Sequence, residues 1–534
     1  MTLEIKPDIK KYSNILVFSI SLIPVILFLY IIWNRSGLPF VFEWGESAGV
    51  NQINHILKGF KLYGPPSIEF TPLVYTPIYY YLAAGLSFLI GNSIFAARII
   101  SIASTLGSVF LIGRIVRNET GNTLIAWISG IFYLACFSLS DGFYDLIRVD
   151  SLYILFVLIA FIIVQEAKNR SGYVIFGVLL IIGFFIKQSF LIVFIPLQAY
   201  LLIKEFRLSW SGMAVYIVGL AGLLLLINGV SDNWFFYYIF GLPREHGYSL
   251  ISAFNFWIGD TIRPLGILFV FSLFYLLKSK LISREITPDT KDCSPNDLAI
   301  LEAESRHRWW VHILFLAGAG GAAWVTRSSN GGGANNCMLI YAALAISFGL
   351  VAGLLFNTKW VKDNQWLYAF ITLVITIQFV GLIYNPFNFL PTNDEIKANE
   401  NIADRIRDAD KPVLIPYRSH LSEELDHGPQ IHMVNLFELT GYFKGEILPA
   451  GIDLVDQIRE EVCHQSYGLI ILDQPVPWIG KQIDLAYEIE LVNKDSDFQQ
   501  SHLLDWQQWN IGSYLPKDNY DLDGCLGSVS SKKD

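Results

Sequence analysis

About eleven runs of roughly twenty apolar residues, separated by short polar loops, constrain this chain more than any single motif. They can be drawn near 14–33, 94–116, 121–140, 151–166, 171–187, 189–204, 211–229, 256–278, 309–326, 337–356 and 366–384. A run of that length spans the hydrocarbon core of a bilayer as a helix, and inside lipid only helices and closed barrels satisfy their backbone. Over the 534 residues 53% are hydrophobic and 16% charged, against roughly 25% charged in soluble proteins. The expected fold is therefore a polytopic α-helical membrane protein. Lys6, Lys10 and Lys11 precede the first run, which has no small-residue cleavage site, so it reads as a signal anchor with a cytoplasmic N-terminus.

Charge then orders the loops. Arg114/Arg117, Lys168/Arg170, Lys204/Arg207, Lys278/Lys280/Arg284 and Lys359/Lys362 all fall on one side, the inner one, provided that residues 76–91 do not cross. That stretch is expected to be a juxtamembrane helix on the outer surface, with Tyr79-Tyr80-Tyr81 in the headgroup zone. The last run then delivers the remainder of the chain to the outside. Residues 393–534 hold 26 acids and 12 bases, an acidic soluble tail that argues against a nucleic-acid surface. Pro386 and Pro391 open this tail. Helices are expected at 394–408 and 453–464, and strands at Val413–Pro416, Ile431–Val434 and Leu469–Leu472. Three segments result: a transmembrane domain (1–392), a small α/β domain (393–514) and a polar, disordered end (515–534). Cys463 and Cys525 share the tail; a disulfide or two free thiols are equally open.

The loops on the outer side carry the residues with chemistry. Glu43-Trp44-Gly45-Glu46 follows the first run, and Asp145-Leu146-Ile147-Arg148-Val149-Asp150 follows the third. Carboxylates at a membrane face are costly, and two such loops can converge where a substrate has a polar head and a lipid tail. Glu46 opens a short helix that Gly59 terminates; it reads either as a dipole-stabilising acid or as a general base. Asp150 reads as a second catalytic acid. Arg148 and Lys187 can grip an anion, as can Arg244 and Arg327, the latter beside Gly331-Gly332-Gly333. Glu43, Tyr75, His246 and Asn336 complete the substrate-binding candidates. No cysteine or histidine spacing suggests a metal site, and no nucleotide-binding fingerprint appears in a fitting context.

In order and spacing these residues resemble the GT-C-fold glycosyltransferases that use lipid-phosphate sugars, in particular the bacterial aminoarabinose transferases and protein mannosyltransferases. The likeness runs over residues 10–390: Glu46…Leu57-Lys58-Gly59…Leu62-Tyr63…Tyr75-Thr76-Pro77, then Gly91…Ala97-Arg98, Arg148-Val149-Asp150, Ile186-Lys187-Gln188-Ser189-Phe190, Trp234-Phe235 to His246, and Asn335-Asn336. Two positions depart: the family's Asp-Glu pair is here Gly45-Glu46, and the lysine of its K-P element is Thr76, which argues against aminoarabinose as the sugar. The resemblance implies a polyprenyl-phosphate sugar donor, a hydroxyl acceptor on a lipid, glycan or protein, and inversion on the extracytoplasmic face of a cell membrane, the bacterial cytoplasmic membrane being the expected one. It implies Glu46 and Asp150 as catalytic acids and Arg148, Lys187, Arg244 and Arg327 on the donor phosphate. Relatives differ in their use of a divalent metal. The rival readings are a lipid-linked sugar flippase, which predicts repeat symmetry and charges deep in the spans, a polysaccharide polymerase, and a membrane-anchored binding protein that works through its tail.

Overall fold

A computed structural model describes residues 9–277, 295–425, 428–429, 431–440, 448–473, 476, 478–492 and 512–530. The apolar runs fold as helices: α1 (Ile9–Arg35), α4 (Ser93–Thr120), α5 (Thr123–Ala135), α6 (Asp150–Glu166), α7 (Arg170–Ile186), α8 (Phe190–Lys204), α9 (Phe206–Val230), α10 (Leu250–Trp257) leading into α11 (Arg263–Leu277), α12 (Pro295–Ser328), α13 (Met338–Asn357) and α14 (Gln365–Val380). The first long loop adds α2 (Trp44–Leu57) and α3 (Ile78–Ile90). Among the described residues seven helical stretches are long and apolar enough to cross a membrane, and further apolar helices have 13 to 17 residues. Asn side chains start several of them: Asn92, Asn122 and Asn169 each accept a backbone N–H of the first turn, a preferred cap.

Helix α13 is the buried axis of the bundle, with nearly every side chain enclosed. Helices α7 and α9 cross so closely that a Cβ on Gly212 would lie 2.1 Å from the carbonyl oxygen of Tyr173. Small residues permit such approach where lipid offers no hydrophobic drive. Helices α1 and α14 run parallel: Tyr368 donates to Asn14 at their starts (2.7 Å), whereas Arg35 at the end of α1 reaches the carbonyl of Phe389 beyond the end of α14 (3.2 Å). The chain's beginning and its tail thus lie on opposite faces. The two acidic loops share the tail's face, since Glu46 accepts the Ile147 N–H at 2.9 Å. Helix α3 has 13 residues and rises only about 20 Å.

The tail is a small α/β unit. Helix α15 (Asn393–Arg407) begins with a Thr392/Glu395 capping box. Strands β1 (Val413–Leu414), β2 (Leu469–Leu472), β3 (Tyr487–Val492) and β4 (Gly512–Pro516) form one sheet in the order β1-β2-β4-β3, with β1 parallel to β2 and the other pairs antiparallel. Helices α16 (Met433–Leu439), α17 (Pro449–Cys463) and α18 (Leu522–Ser530) also belong to it, with short helical segments at Ser419–Glu424 and Gly480–Ala486.

Two expectations are corrected. Residues 431–434 are not a strand: His432 caps α16 by accepting the Val434 N–H (3.0 Å), and the apolar side chains continue at helical spacing through Leu436, Phe437 and Leu439. Residues 515–530 are not a disordered end, because they hold the end of β4 and α18, and a Cys463–Cys525 disulfide fastens α18 to α17. Residues 531–534, and the basic residues Lys278, Lys280 and Arg284 expected on the inner side, lie outside the described residues.

Candidate active site

Three ion pairs and a further Arg35–Asp145 clasp, all buried, shape the face on which the acidic loops and the tail meet. The first holds the loops together. Glu46, expected from its motif to be a catalytic base, is wholly buried against Arg98 of α4, which it meets at 3.2 Å. Its oxygens also accept the Phe42 and Ile147 amides at 2.6 and 2.9 Å. Burial works to raise its pKa, but Arg98 and the two amides outweigh it and hold the carboxyl below the ordinary value. Arg98 spends its other donors on the carbonyls of Arg35, Leu38 and Phe40. Through these contacts Glu46 ties the loop after α1 to the loop before α6. A parallel clasp joins Arg35 to Asp145 (2.8 Å from Nε) and to the Gly142 carbonyl.

The second pair, Glu43 with Arg148, lies beside this clasp at 3.1 Å. Glu43 is 4% exposed, yet its Oε2 and the Nε of Arg148 make no hydrogen bond among the described residues. Burial pushes the Glu43 pKa up against the pull of Arg148. A buried acid with a raised pKa has the character of a general base, and Glu43 has it although its Oε2 is the atom that faces Arg148. Gly45 makes room for this pair: a Cβ there would stand 2.6 to 2.9 Å from the Arg148 guanidinium. The glycine that replaces the expected aspartate is thus filled by an arginine from the second loop.

The third pair is Asp150, first residue of α6, with Lys187, which follows α7. They meet at 2.6 Å. Asn335 donates to the other Asp150 oxygen (2.9 Å), and Lys187 reaches Asn336 Oδ1 at 3.1 Å. These four side chains line a narrow recess with Tyr153, Ser189 and Thr326. Gln188, next to Lys187, donates to the Val74 carbonyl (2.7 Å) and so brings the Tyr75-Thr76-Pro77 element alongside. Tyr75 stands between the pairs, within electrostatic reach of Arg148, Asp150, Glu438 and Glu43, and burial pushes its phenol up to about 12. Thr76 is fully buried, its hydroxyl without a hydrogen-bond partner among the described residues.

The remaining expected residues divide. His246 joins the site through an ion contact with Glu438 of α16, which the sequence reading had not singled out; nothing in its sequence neighbourhood marks it. Burial would lower the His246 pKa, but Glu438 outweighs this and raises it. Arg244 is exposed and makes no ion pair among the described residues. Arg327 is committed elsewhere, to Asp260 (2.8 Å) and the Gly332 carbonyl (2.7 Å), so it holds the loop after α12 instead of facing the recess. Arg98 was also missed as a site-forming residue, although a charge six residues into an apolar helix is itself a sign of a buried partner. Among the described residues no three or more His, Cys, Asp or Glu side chains gather as a metal site.

Helices bundled beneath long loops on one face, with a small sheet domain seated on those loops, define the class: the chain is a multi-pass membrane protein of GT-C fold. It is similar over 94% of its length to the crystal structure of ArnT from Cupriavidus metallidurans bound to undecaprenyl phosphate, covering 97% of that chain with a TM-score of 0.55 and 11% identity. A weaker likeness, TM-score 0.49 and 10% identity over 90% of this chain and 73% of the other, is to the oligosaccharyltransferase AglB from Archaeoglobus fulgidus in complex with an inhibitory peptide and a dolichol-phosphate. A family described as dolichyl-phosphate-mannose-protein mannosyltransferase matches residues 74–230, a segment that includes Tyr75, Arg98, Arg148, Asp150 and Lys187. No functionally curated protein matches the chain by sequence.

Proposed function

We propose that this protein is a membrane glycosyltransferase that moves a sugar from a polyprenyl-phosphate donor to a hydroxyl acceptor on the extracytoplasmic face, with inversion at the anomeric carbon. The observation that carries the reading is the side-by-side placement of Glu43–Arg148 and Asp150–Lys187 at the mouth of a GT-C bundle. Lys187 and Arg148 hold the donor phosphate, and Asp150 with Asn335 orients the Lys187 ammonium. Arg244, at the exposed rim, draws the anionic headgroup in. Tyr75 and Asn336 contact the transferred sugar. The polyprenyl chain lies among the apolar helices below.

In the reacting complex Glu43 takes the proton of the acceptor hydroxyl. The oxygen forms a bond to the anomeric carbon as the bond from that carbon to the phosphate oxygen breaks, and the polyprenyl phosphate leaves with the electron pair. Negative charge grows on the leaving phosphate, so Arg148 and Lys187 stabilise the transition state more than the ground state. Glu46 keeps its partners throughout and fixes the backbone from which Glu43 projects.

The test is transfer of radiolabelled sugar from polyprenyl-phosphate donors by membranes containing the wild type, Glu43→Gln, Lys187→Ala or Asp150→Asn, with donor binding measured separately. Glu43→Gln is expected to bind donor and to lose turnover, and Lys187→Ala to lose donor binding. Full turnover in Glu43→Gln would reject it as the base. Absence of transfer by wild type from every donor, with no donor bound, would reject the transferase reading.

A further inference from the structure

Trp44 follows Glu43 directly and opens α2. Its indole meets three rings that all come from the tail: Phe437 edge-on at 5.6 Å, Tyr417 at 6.3 Å and His432 at 6.4 Å. Those three are at least nine-tenths buried, whereas Trp44 remains 37% exposed. An aromatic ring walled by others and still open on part of its surface is a stacking platform. On α16, which also bears Phe437, Asn435 is 2% exposed; its amide donates to the Thr71 carbonyl, and its Oδ1 has no hydrogen-bond partner among the described residues. A buried carbonyl oxygen without a donor is costly and suits a ligand hydroxyl. The platform adjoins the ion pairs. Arg148 acts on His432 and Glu438 acts on Tyr75, and burial depresses His432 to a pKa of about 3, so at neutral pH the wall carries no charge of its own.

We propose that Trp44, walled by Tyr417, His432 and Phe437 and with Asn435 Oδ1 as a hydrogen-bond acceptor, binds a pyranose ring of the acceptor, so that the acceptor is a glycan. The placement of this ring as acceptor rests on the transferase reading, because it puts the sugar beside Glu43. The chemistry is general. A pyranose presents a face of polarised C–H bonds that packs on the electron-rich face of an indole, while its hydroxyls seek fixed polar atoms at the edge. A polyisoprenoid would need an apolar groove without an orphaned amide oxygen, and an extended peptide would need a row of backbone partners.

The test uses the full chain in detergent, labelled with 5-fluorotryptophan, whose fluorine spectrum reports each of the 14 tryptophans. Trp44→Phe identifies the Trp44 resonance and keeps an aromatic ring against Phe437. Trisaccharides of glucose, galactose, mannose and N-acetylglucosamine, a serine-containing hexapeptide and undecaprenyl phosphate are added in turn. At least one trisaccharide should shift the Trp44 resonance, and Asn435→Ala should weaken that binding about fivefold, the loss of one hydrogen bond. No shift with any trisaccharide up to its solubility limit, or a shift with the peptide alone, would overturn the proposal. Sugar binding at Trp44 in a protein that transfers nothing would reject the transferase reading and leave the platform standing. Transfer without any Trp44 shift would reject the platform alone.

Discussion

Gly45→Ala offers the sharpest test of the arrangement, because it adds one methyl group and touches one side chain. The new Cβ would stand 2.6 Å from Arg148 Nη1 and 2.8 and 2.9 Å from Cζ and Nη2. Comfortable contact begins near about 3.5 Å, so the guanidinium must retreat by about 1 Å. It can move, being the end of a flexible side chain, but it is hemmed in by Glu43 at 3.1 Å and by the ring of Phe143 beneath it. The cost in stability should stay near the low end of overpacking, about 1 kcal/mol. The cost in turnover should be far larger, since a misplacement of about 1 Å in a reacting constellation can lower rate by about a hundredfold. The assay is single-turnover sugar transfer beside thermal unfolding in the same detergent. A double-mutant cycle isolates the cause: if Gly45→Ala acts only by displacing Arg148, it should add nothing to Arg148→Ala. Wild-type turnover in Gly45→Ala, or additive losses in the double variant, would refute the reasoning.

Three other outcomes are expected. The pH profile of transfer should have an acidic limb above the usual carboxylate range, because Glu43 must be ionised to act and burial raises its pKa; Glu43→Gln should abolish that limb and lower turnover by about 10²–10⁴-fold. Glu46→Gln should destabilise the protein by about 3–5 kcal/mol by leaving Arg98 buried and unpaired, read as a lower unfolding midpoint. Since the Glu46 pKa is depressed in the folded chain, its contribution is present above the unfolded carboxyl value and fades as pH falls through the folded one. The variant and the wild type should converge in acid. Finally, Cys463→Ser opens a crosslink spanning 62 residues, and the tail should lose about 4 kcal/mol on the chain-entropy account, seen as earlier proteolysis of the tail under non-reducing conditions.

The apolar helices and the face shared by the acidic loops were legible because each follows from local composition or from charge counted loop by loop. What escaped the sequence is pairing at a distance. Nothing near Glu46 tells that Arg98, 52 positions on, will neutralise it, or that burial will raise the pKa of Glu43 instead. The strand expected at 431–434 failed because four apolar residues fit either period, and the helix depends on His432 as a cap and on Leu436 and Phe437 beyond the window. The polar composition of 515–530 concealed an ordered segment because a crosslink to α17 supplies order that composition does not encode. Arg327 looked like an anion ligand until Asp260, on a different helix, claimed it.

The tail's grip on the first loop, through Asn51 to Ser419, Ser47 to His420 and the rings around Trp44, sets a timetable for biogenesis. The loop that bears Glu43 leaves the ribosome with the first tenth of the chain, and the residues that close over it come after the last span has been inserted. Throughout the synthesis of the intervening helices, Trp44 and the polar face of α2 stand uncovered at the membrane surface. Assembly of this site therefore waits on a docking event after insertion of the helices before the tail, and a chain arrested before the tail would lack a finished site.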